Sequence, residues 1–328
     1  MTTLTVNLPA GAACSYPIHI GYGLLHDRDL LASIIPQRQI CIVTNDNVAR
    51  HYLAPLTAAL ADKTVITVHL PDGEAHKNLA SYAQILDALV AARYDRDSLI
   101  IALGGGITGD IAGFAAATYQ RGIAGLQIPT TLLAQVDSSV GGKTGVNHPQ
   151  GKNLIGAFHQ PQAVLIDTAT LATLPPREFA AGMAEVIKYG LINDPAFFTW
   201  LEANHDGIRA HDPALLAEMI AHCCANKATI VAADEREQGV RALLNYGHTF
   251  GHALEALTHY KRWKHGEAVA IGSVIATHLG VILDRVSEAD AARTAALFAA
   301  YDLPTTIPAD ITTADILDKM QPVDLTFL

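Results

Sequence analysis

The order of elements between Gln39 and Ile166 constrains this chain more than any other feature. Gln39 to Thr44 (QICIVT), Thr64 to Leu70, Ser98 to Leu103 (SLIIAL), Leu126 to Ile128 and Ala163 to Ile166 are short apolar runs. Helical patterns over Asp46 to Ala61 and Asn78 to Ala92 separate the first three, with Asp46 the expected cap of the first helix. Runs that are apolar throughout are strands buried on both faces, and strands joined through helices pair in parallel by right-handed crossovers. Ahead of them, Thr3 to Leu8 and Tyr16 to Ile20 alternate apolar with polar residues, which predicts an antiparallel pair at the sheet edge. A further helix is expected over Thr108 to Tyr119. After Leu174-Pro175-Pro176 the strand signals stop, and from Arg177 onward apolar residues recur at spacings of three and four among abundant alanine. The expected fold class is an α/β N-terminal domain, residues 1–175, with a mostly parallel, Rossmann-like sheet. An all-α C-terminal domain, residues 176–328, follows, with the active site expected in the cleft between the two.

Two cores fit in 328 residues. Half of the residues are hydrophobic and 16% are charged, which excludes a disordered chain and a broad basic face for nucleic acid. No membrane span is expected. The longest nearly apolar run, Ala268 to Leu283, is broken by Gly272, Ser273, Thr277, His278 and Gly280 and reads as a buried helix. The opening residues, MTTLTVNLPAG, carry no basic region and no apolar core of signal length, so export is not expected. Cys14, Cys41, Cys223 and Cys224 show neither metal-ligand spacing nor a disulfide framework, and read as small buried hydrophobes in a reducing cytoplasm.

Against a formal net charge of -10, the stretch from Gln120 to Gly156 inverts the local sign: Arg121, Lys143 and Lys152 stand against a single acid, Asp137. Thr130, Thr131, Ser138, Ser139, Thr144 and Asn153 are interleaved. Cations, hydroxyls and exposed amides on glycine-bordered loops suit an anionic small molecule, although an arbitrary segment of this kind is more often a solvated loop. Just upstream, Gly104, Gly106 and Gly109 satisfy G-x-G-x-x-G directly after a buried strand and at a helix start, where backbone amides and the positive dipole end suit a pyrophosphate. The acidic ribose ligand expected about 20 residues later has no counterpart. The adenosine of a nicotinamide nucleotide would then be held by earlier strand ends, with Asn45, Glu74 and Lys77 as candidates. A P-loop is excluded, since Asp137 stands where the first glycine before Gly142-Lys143-Thr144 is required.

In the helical half, His248 and His252 lie four apart on one helical face, and His265-Gly266-Glu267 follows a loop containing Trp263. An H-x-x-x-H pair alone more often marks ordinary hydrogen-bonded histidines. A catalytic divalent site needs three N or O ligands and an open position. Glu185, in GMAEVIKYG, joins the three histidines as a candidate; any three of the four would serve, and the spacing favours His248 with His252. Lys188, three residues after Glu185, reads as half of a surface ion pair worth a few tenths of a kcal/mol, and Lys227 and Arg241 carry the same reading.

These segments, GGGITGDIAGFAAATYQRG, QIPTTLLAQVDSSVGGKTGVNHPQGKNLIGAFHQP, GMAEVIKYG, ADEREQGVRALLNYGHTFGHALE and HGEAVAIG, together resemble the 3-dehydroquinate synthase family, most densely from Leu103 to Gly272. The resemblance implies a zinc or cobalt enzyme that uses NAD catalytically, acts on 3-deoxy-D-arabino-heptulosonate 7-phosphate, and assembles as a homodimer. In that family a hydroxyl is oxidised transiently, phosphate leaves by β-elimination, the ketone is reduced again, and ring opening with an aldol closure gives 3-dehydroquinate. The resemblance assigns the metal to Glu185, His248 and His265, leaving His252 as a polar substrate-site residue with a proton-shuttling role. It implies an anion-binding and catalytic set of Arg121, Lys143, Lys152, Asn153, Lys188, Lys227, Arg241 and Asn245, with Asp137 in the same site. It implies NAD contacts from Asn45, Asn47, Glu74, Lys77, Gly105, Gly106, Ile107, Asp110, Thr130, Thr131, Lys143, Lys152, Thr173 and Leu174, with Asn45 where an aspartate is common.

The C-terminal end departs from the pattern. Family members follow the methionine near Met320 with an Asp-Lys-Lys run, whereas here Gln321-Pro322-Val323-Asp324-Leu325-Thr326-Phe327-Leu328 follows, so a truncated or altered end with weaker substrate binding is expected. Three other readings compete: a cyclase of other sugar phosphates, a metal-dependent polyol dehydrogenase, and a non-catalytic binding protein.

Overall fold

A computed structural model describes residues 1–6, 15–235, 237 and 239–320. Leu8, Cys14 and the residues after Met320, where an altered end is expected, lie outside the described residues. The chain divides into two compact units, 1–173 with 216–232, and 174–215 with 233–328. The division is not one cut: Leu216–Ala232 groups with the first unit although it follows residue 175.

The first unit is built on strands β1 (Thr2–Val6), β2 (Tyr16–Gly21), β3 (Gln39–Thr44), β4 (Thr64–His69), β5 (Leu99–Gly104), β6 (Ala124–Pro129), β7 (Lys143–His148), β8 (Gly151–Phe158) and β9 (Ala163–Asp167). Seven of them form one sheet in the order β1-β2-β9-β6-β5-β3-β4, with β7 and β8 in a separate antiparallel pair. Only β1 runs antiparallel in the large sheet, paired with β2 at the edge as its alternation predicts.

Side-chain alternation along the central strands sends successive residues to opposite layers. Ile40, Ile42, Leu99, Ile101 and Leu103 join one core cluster, and Cys41, Val43, Ile100 and Ala102 join another. The first is covered by α1 (Arg28–Ile34) and α2 (Asp46–Ala59), through Leu31 and Leu56. The second is covered by α3 (Leu79–Ala91) and α4 (Gly106–Thr118), through Ile85, Leu89 and Ile111. Two-sided burial is why these strands read as continuous apolar runs. Cys41 is fully buried here, and burial pushes its thiol up to about 12.

Two local expectations are corrected. The cap of α2 is Asn45, not Asp46: the Asn45 side chain accepts from the Val48 amide at 3.0 Å. Asn45 stands in extended backbone one residue before the helix, the geometry a side-chain cap requires. Asn45→Ala is expected to cost about 1 kcal/mol of stability and Asn45→Asp almost nothing, read from urea midpoints of the two variants. The second correction concerns the basic stretch, whose lysines are not on loops. Lys143 opens β7 and Lys152 lies in β8. The segment has too few apolar residues to announce a strand, because the hairpin covers one side of α3 and α4 only through residues such as Val146, Ile155 and Ala157.

The second unit contains α5 (Pro176–Ile192), α6 (Pro195–Arg209), α8 (His248–Leu257), α9 (His265–Ile282), α10 (Glu288–Ala300) and α11 (Thr313–Lys319), while α7 (Pro213–Ala233) falls largely in the first. The apolar run noted in the sequence is α9, in which Gly266 to Val274 are buried. Glycine permits this packing at two places. A Cβ on Gly266 would overlap the Ala181 carbonyl of α5, and one on Gly272 would overlap the Gly247 carbonyl ahead of α8. The N-terminus of α9 is also clamped. Glu267 accepts from the Lys264 amide at 2.8 Å and from two Arg177 nitrogens at 2.6 and 2.8 Å.

Candidate active site

Three side chains converge in the second unit because α5, α8 and α9 pack backbone to backbone. Glu185 projects from α5, His248 from the first turn of α8, and His265 from the first residue of α9. Their nearest ligand atoms all lie within 4.8 Å of one another. His248 Nε2 is 3.4 Å and His265 Nε2 3.6 Å from the same Glu185 oxygen. Sequence spacing paired His248 with His252; here His252 groups instead with Glu255 and His265.

The environment of Glu185 is unusual for a carboxylate. It is 1% exposed, and neither oxygen has a hydrogen bond of ordinary geometry. Lys188, one turn on and also 1% exposed, ion-pairs with it. The surface-pair reading of Lys188 is therefore corrected: taking both charges out of water is costly, and removing either would leave the other uncompensated. Burial alone would raise the Glu185 pKa, but Lys188, His248 and His265 hold it well below the ordinary carboxylate range.

The imidazoles are oriented from behind. His248 Nδ1 lies 3.2 Å from the Tyr246 carbonyl, which requires a proton there and turns the Nε2 lone pair toward Glu185. Burial, with Lys188 and the other two histidines, pushes His248 down to about 3 against the pull of Glu185. His265 is pushed the other way. Burial disfavours its charge, but the Glu185 and Glu255 carboxylates beside it carry it up to about 10. Its Nδ1 is 3.4 Å from Glu255, which is itself buried. One buried carboxylate and two partly buried imidazoles, with a second carboxylate behind one of them, form a donor set that fits a divalent zinc-type ion.

Glu255 is the residue the sequence reading passes over. A lone acid in the apolar run HALEAL is the signal that could have found it. Glu255→Ala is expected to weaken zinc binding about 10- to 100-fold, as loss of an orienting partner usually does, with Glu255→Gln retaining most of it. Competition against a chelating dye reads both, and wild-type affinity in Glu255→Ala would exclude the orienting role.

Other expected residues of this unit lie nearby in sequence but differ in setting. Arg241 is 1% exposed and donates to the Glu235 carbonyl at 2.5 Å, so its surface reading is also corrected. Asn245 and His252 are exposed, with Asn245 donating to Glu237 at 3.2 Å. Rings of His252 and His248 are 5.2 Å apart, centre to centre.

The first unit carries the cations and the glycine turn. Gly105 precedes α4, no side chain caps that helix, and the Thr130 amide donates to the Gly104 carbonyl at 2.9 Å. Unclaimed first-turn amides at a helix N-terminus fit the pyrophosphate of a dinucleotide. Gly106 and Ile107 form the first turn of α4, with Thr131 against Gly105. Lys77, 6% exposed, donates to Asp110 at 2.5 Å and to Asn153 at 2.6 Å. Glu74 lies 4.0 Å from the Lys152 ammonium. Asn47 donates to Asp72, and Thr173 shares a hydrogen bond with Tyr52 at 2.5 Å. Leu174 begins the second unit.

Lys227, on α7, is 5% exposed and donates to the Asp137 carboxylate at 2.8 Å and to its carbonyl at 2.6 Å, so it too is no surface charge. Lys143 and Arg121 are exposed, Arg121 in left-handed backbone at φ 71. Such a conformation in a non-glycine residue is costly and concentrates at ligand sites.

Models of the 3-dehydroquinate synthase N-terminal and C-terminal domains match residues 67–181 and 182–323. The chain is 57% identical over 320 residues to a 3-dehydroquinate synthase of Pseudomonas fluorescens, covering 98% of this chain and 87% of that one. It is 55% identical over 316 residues to that of Colwellia psychrerythraea, covering 96% and 89%. Among solved structures it resembles 2-deoxy-scyllo-inosose synthase complexed with carbaglucose-6-phosphate, NAD+ and Co2+ (TM-score 0.85, 27% identity, 97% and 86% coverage). It also resembles 2-epi-5-epi-valiolone synthase from Streptomyces hygroscopicus with NAD+ and Zn2+ bound (0.86, 27%, 96% and 88%). A glycerol dehydrogenase from Schizosaccharomyces pombe, at 17% identity and TM-score 0.68, shares the fold. Consecutive family models meeting within α5, and relatives aligned over nearly the whole length, lead to one assignment: the chain belongs to the 3-dehydroquinate synthase family.

Proposed function

We propose that this lyase converts 3-deoxy-D-arabino-heptulosonate 7-phosphate to 3-dehydroquinate and phosphate. The observation that carries the reading is the convergence of the buried Glu185 with the partly buried His248 and His265, in a chain of this family. Those three side chains would hold zinc or cobalt, which when bound supplies Lewis acidity to the hydroxyl being oxidised. The α4 amides, with Glu74, Lys77 and Asp110, would hold NAD, which supplies a reversible oxidation with no net redox change.

The remaining steps fall to the protein's own groups. Lys143, Lys152, Lys227 and Arg241 bind the substrate's phosphate and carboxylate through charge-assisted hydrogen bonds, and stabilise the charge that grows as phosphate leaves. Asp137 holds the Lys227 ammonium through two contacts, its carboxylate and its carbonyl, so the positive charge is in place before substrate arrives. His252, exposed beside the triad, moves a proton at an imidazole nitrogen. Asn245 and Asn153 supply neutral donors that set orientation without adding charge. Arg121 extends the cationic surface.

The test loads the protein with zinc or cobalt, adds a trace of NAD, and follows phosphate release beside 3-dehydroquinate formation. Both rising together, with no lasting absorbance at 340 nm, is the expected result. Net NADH formation would instead mark a dehydrogenase, and no release from a folded, NAD-binding protein would exclude the synthase reading. We also infer a homodimer in the cytoplasm, which scattering-detected gel filtration and fractionation address.

A further inference from the structure

The hairpin of β7 and β8 stands outside the large sheet, and a two-stranded pair has little stability of its own. Something must fix it against the rest of its unit. Its register is irregular: Val146 pairs with Ile155 and His148 with Gly151, so that Asn147 alone stands opposite Lys152, Asn153 and Leu154, and the extra residues lie on β8. A bulge of this kind re-aims the side chain it carries.

Asn147 is held through its backbone amide and both ends of its side-chain amide. Its backbone amide donates to the Lys77 carbonyl at 2.8 Å, and its side-chain nitrogen donates to Glu74 at 2.7 Å. Its side-chain oxygen accepts from the Asn153 amide at 2.8 Å. Asn153 sits in left-handed backbone, φ 56, and its own side-chain oxygen accepts from the Lys77 ammonium at 2.6 Å. The contacts close a ring: Asn147 to Glu74, along the turn to Lys77, across to Asn153, and back to Asn147.

We propose that Asn147 is a positioning residue that locks the Glu74–Lys77 turn to the β7–β8 hairpin, so that Lys77, Lys152 and Asn153 are presented as one preformed set. The ligand roles of those three rest on the proposed function, whereas the lock itself does not. The same Glu74 oxygen that Asn147 holds lies 4.0 Å from the Lys152 ammonium. With the amide gone, that oxygen is available to Lys152, which then turns from an incoming anion toward Glu74. One side chain thus keeps Lys152 from closing onto Glu74 and holds the left-handed Asn153 in place.

Three full-length variants test this. Asn147→Ala removes both side-chain bonds. Asn147→Asp keeps the acceptor for the Asn153 amide but sets a carboxylate against Glu74. The double variant Glu74→Gln with Asn147→Asp restores that bond with donor and acceptor exchanged. Deuterium exchange is read in residues 74–77 and 143–158, together with NAD affinity by calorimetry and KM and kcat for the sugar phosphate.

In Asn147→Ala, both segments are expected to exchange faster, with NAD affinity about tenfold weaker, a fraction of what the two lost bonds are worth together, since neither is made to NAD itself. KM should rise by about the same factor with kcat changed less, since the reacting groups remain. Asn147→Asp should be as impaired, and the double variant should recover protection in both segments. Unchanged exchange at 74–77 in Asn147→Ala, or a double variant no better than Asn147→Asp, would overturn the proposal. If the wild-type protein binds no NAD, the functional reading falls, while exchange and its recovery still decide the lock.

Discussion

His265→Ala is expected to lower zinc affinity by more than about a hundredfold, beyond the loss that follows when only an orienting partner is removed. Turnover should fall with it. His265 has two jobs at once: Nε2 faces Glu185 at 3.6 Å, and Nδ1 faces Glu255 at 3.4 Å. Alanine removes a ligand and also leaves Glu255 without that partner. Metal content after dialysis and a dye-competition constant would read the first effect. NAD binding should be nearly unchanged, because the α4 turn and the Lys77 network lie in the other unit. Retained wild-type zinc affinity would remove His265 from the ligand set. Glu185→Gln should follow the same course and add a stability loss, since Lys188 would remain buried without its carboxylate; breaking a buried pair in this way costs about 3–5 kcal/mol.

The second large effect is expected from a residue with no functional group. Gly266→Ala places a methyl where the Ala181 carbonyl of α5 already lies. Backbone cannot rotate away as a side chain does, so α9 must move relative to α5. Glu185 is on one of those helices and His265 is the residue beside Gly266 on the other. Overpacking of this kind typically costs about 1–3 kcal/mol, and a displacement near 1 Å at a site can cost about a hundredfold in rate. Gly266→Ala should therefore weaken metal binding and turnover far more than it lowers the melting temperature. A drop in stability with full metal affinity would show that the helices adjust without moving the ligands. Gly272→Ala, set against the Gly247 carbonyl, should shift α8 by the same logic and displace His248.

The α/β order was legible because strands buried on two faces leave an unmistakable apolar signature, as in QICIVT and SLIIAL. The hairpin carrying Lys143 and Lys152 was not, because it is half-solvated and held by polar contacts such as those of Asn147. Burial of charge was also hidden. Lys188, Lys227 and Arg241 are polar letters in the sequence wherever they sit; only packed helices show that each lies 5% exposed or less. Capping was misread by one residue, since Asn45 and Asp46 are both good caps and backbone dihedrals choose between them.

For the metal-type set, the residue types and their family pattern were already legible in the chain: one glutamate, three histidines, and glycines at 247, 251, 266 and 272. Helical periodicity could join only residues within one helix, so it offered His248 with His252. Tertiary structure decided the grouping, because Glu185, His248 and His265 come from three helices brought together by backbone contacts at glycine. Local periodicity is a property of one element, whereas a three-ligand site is a property of how elements pack.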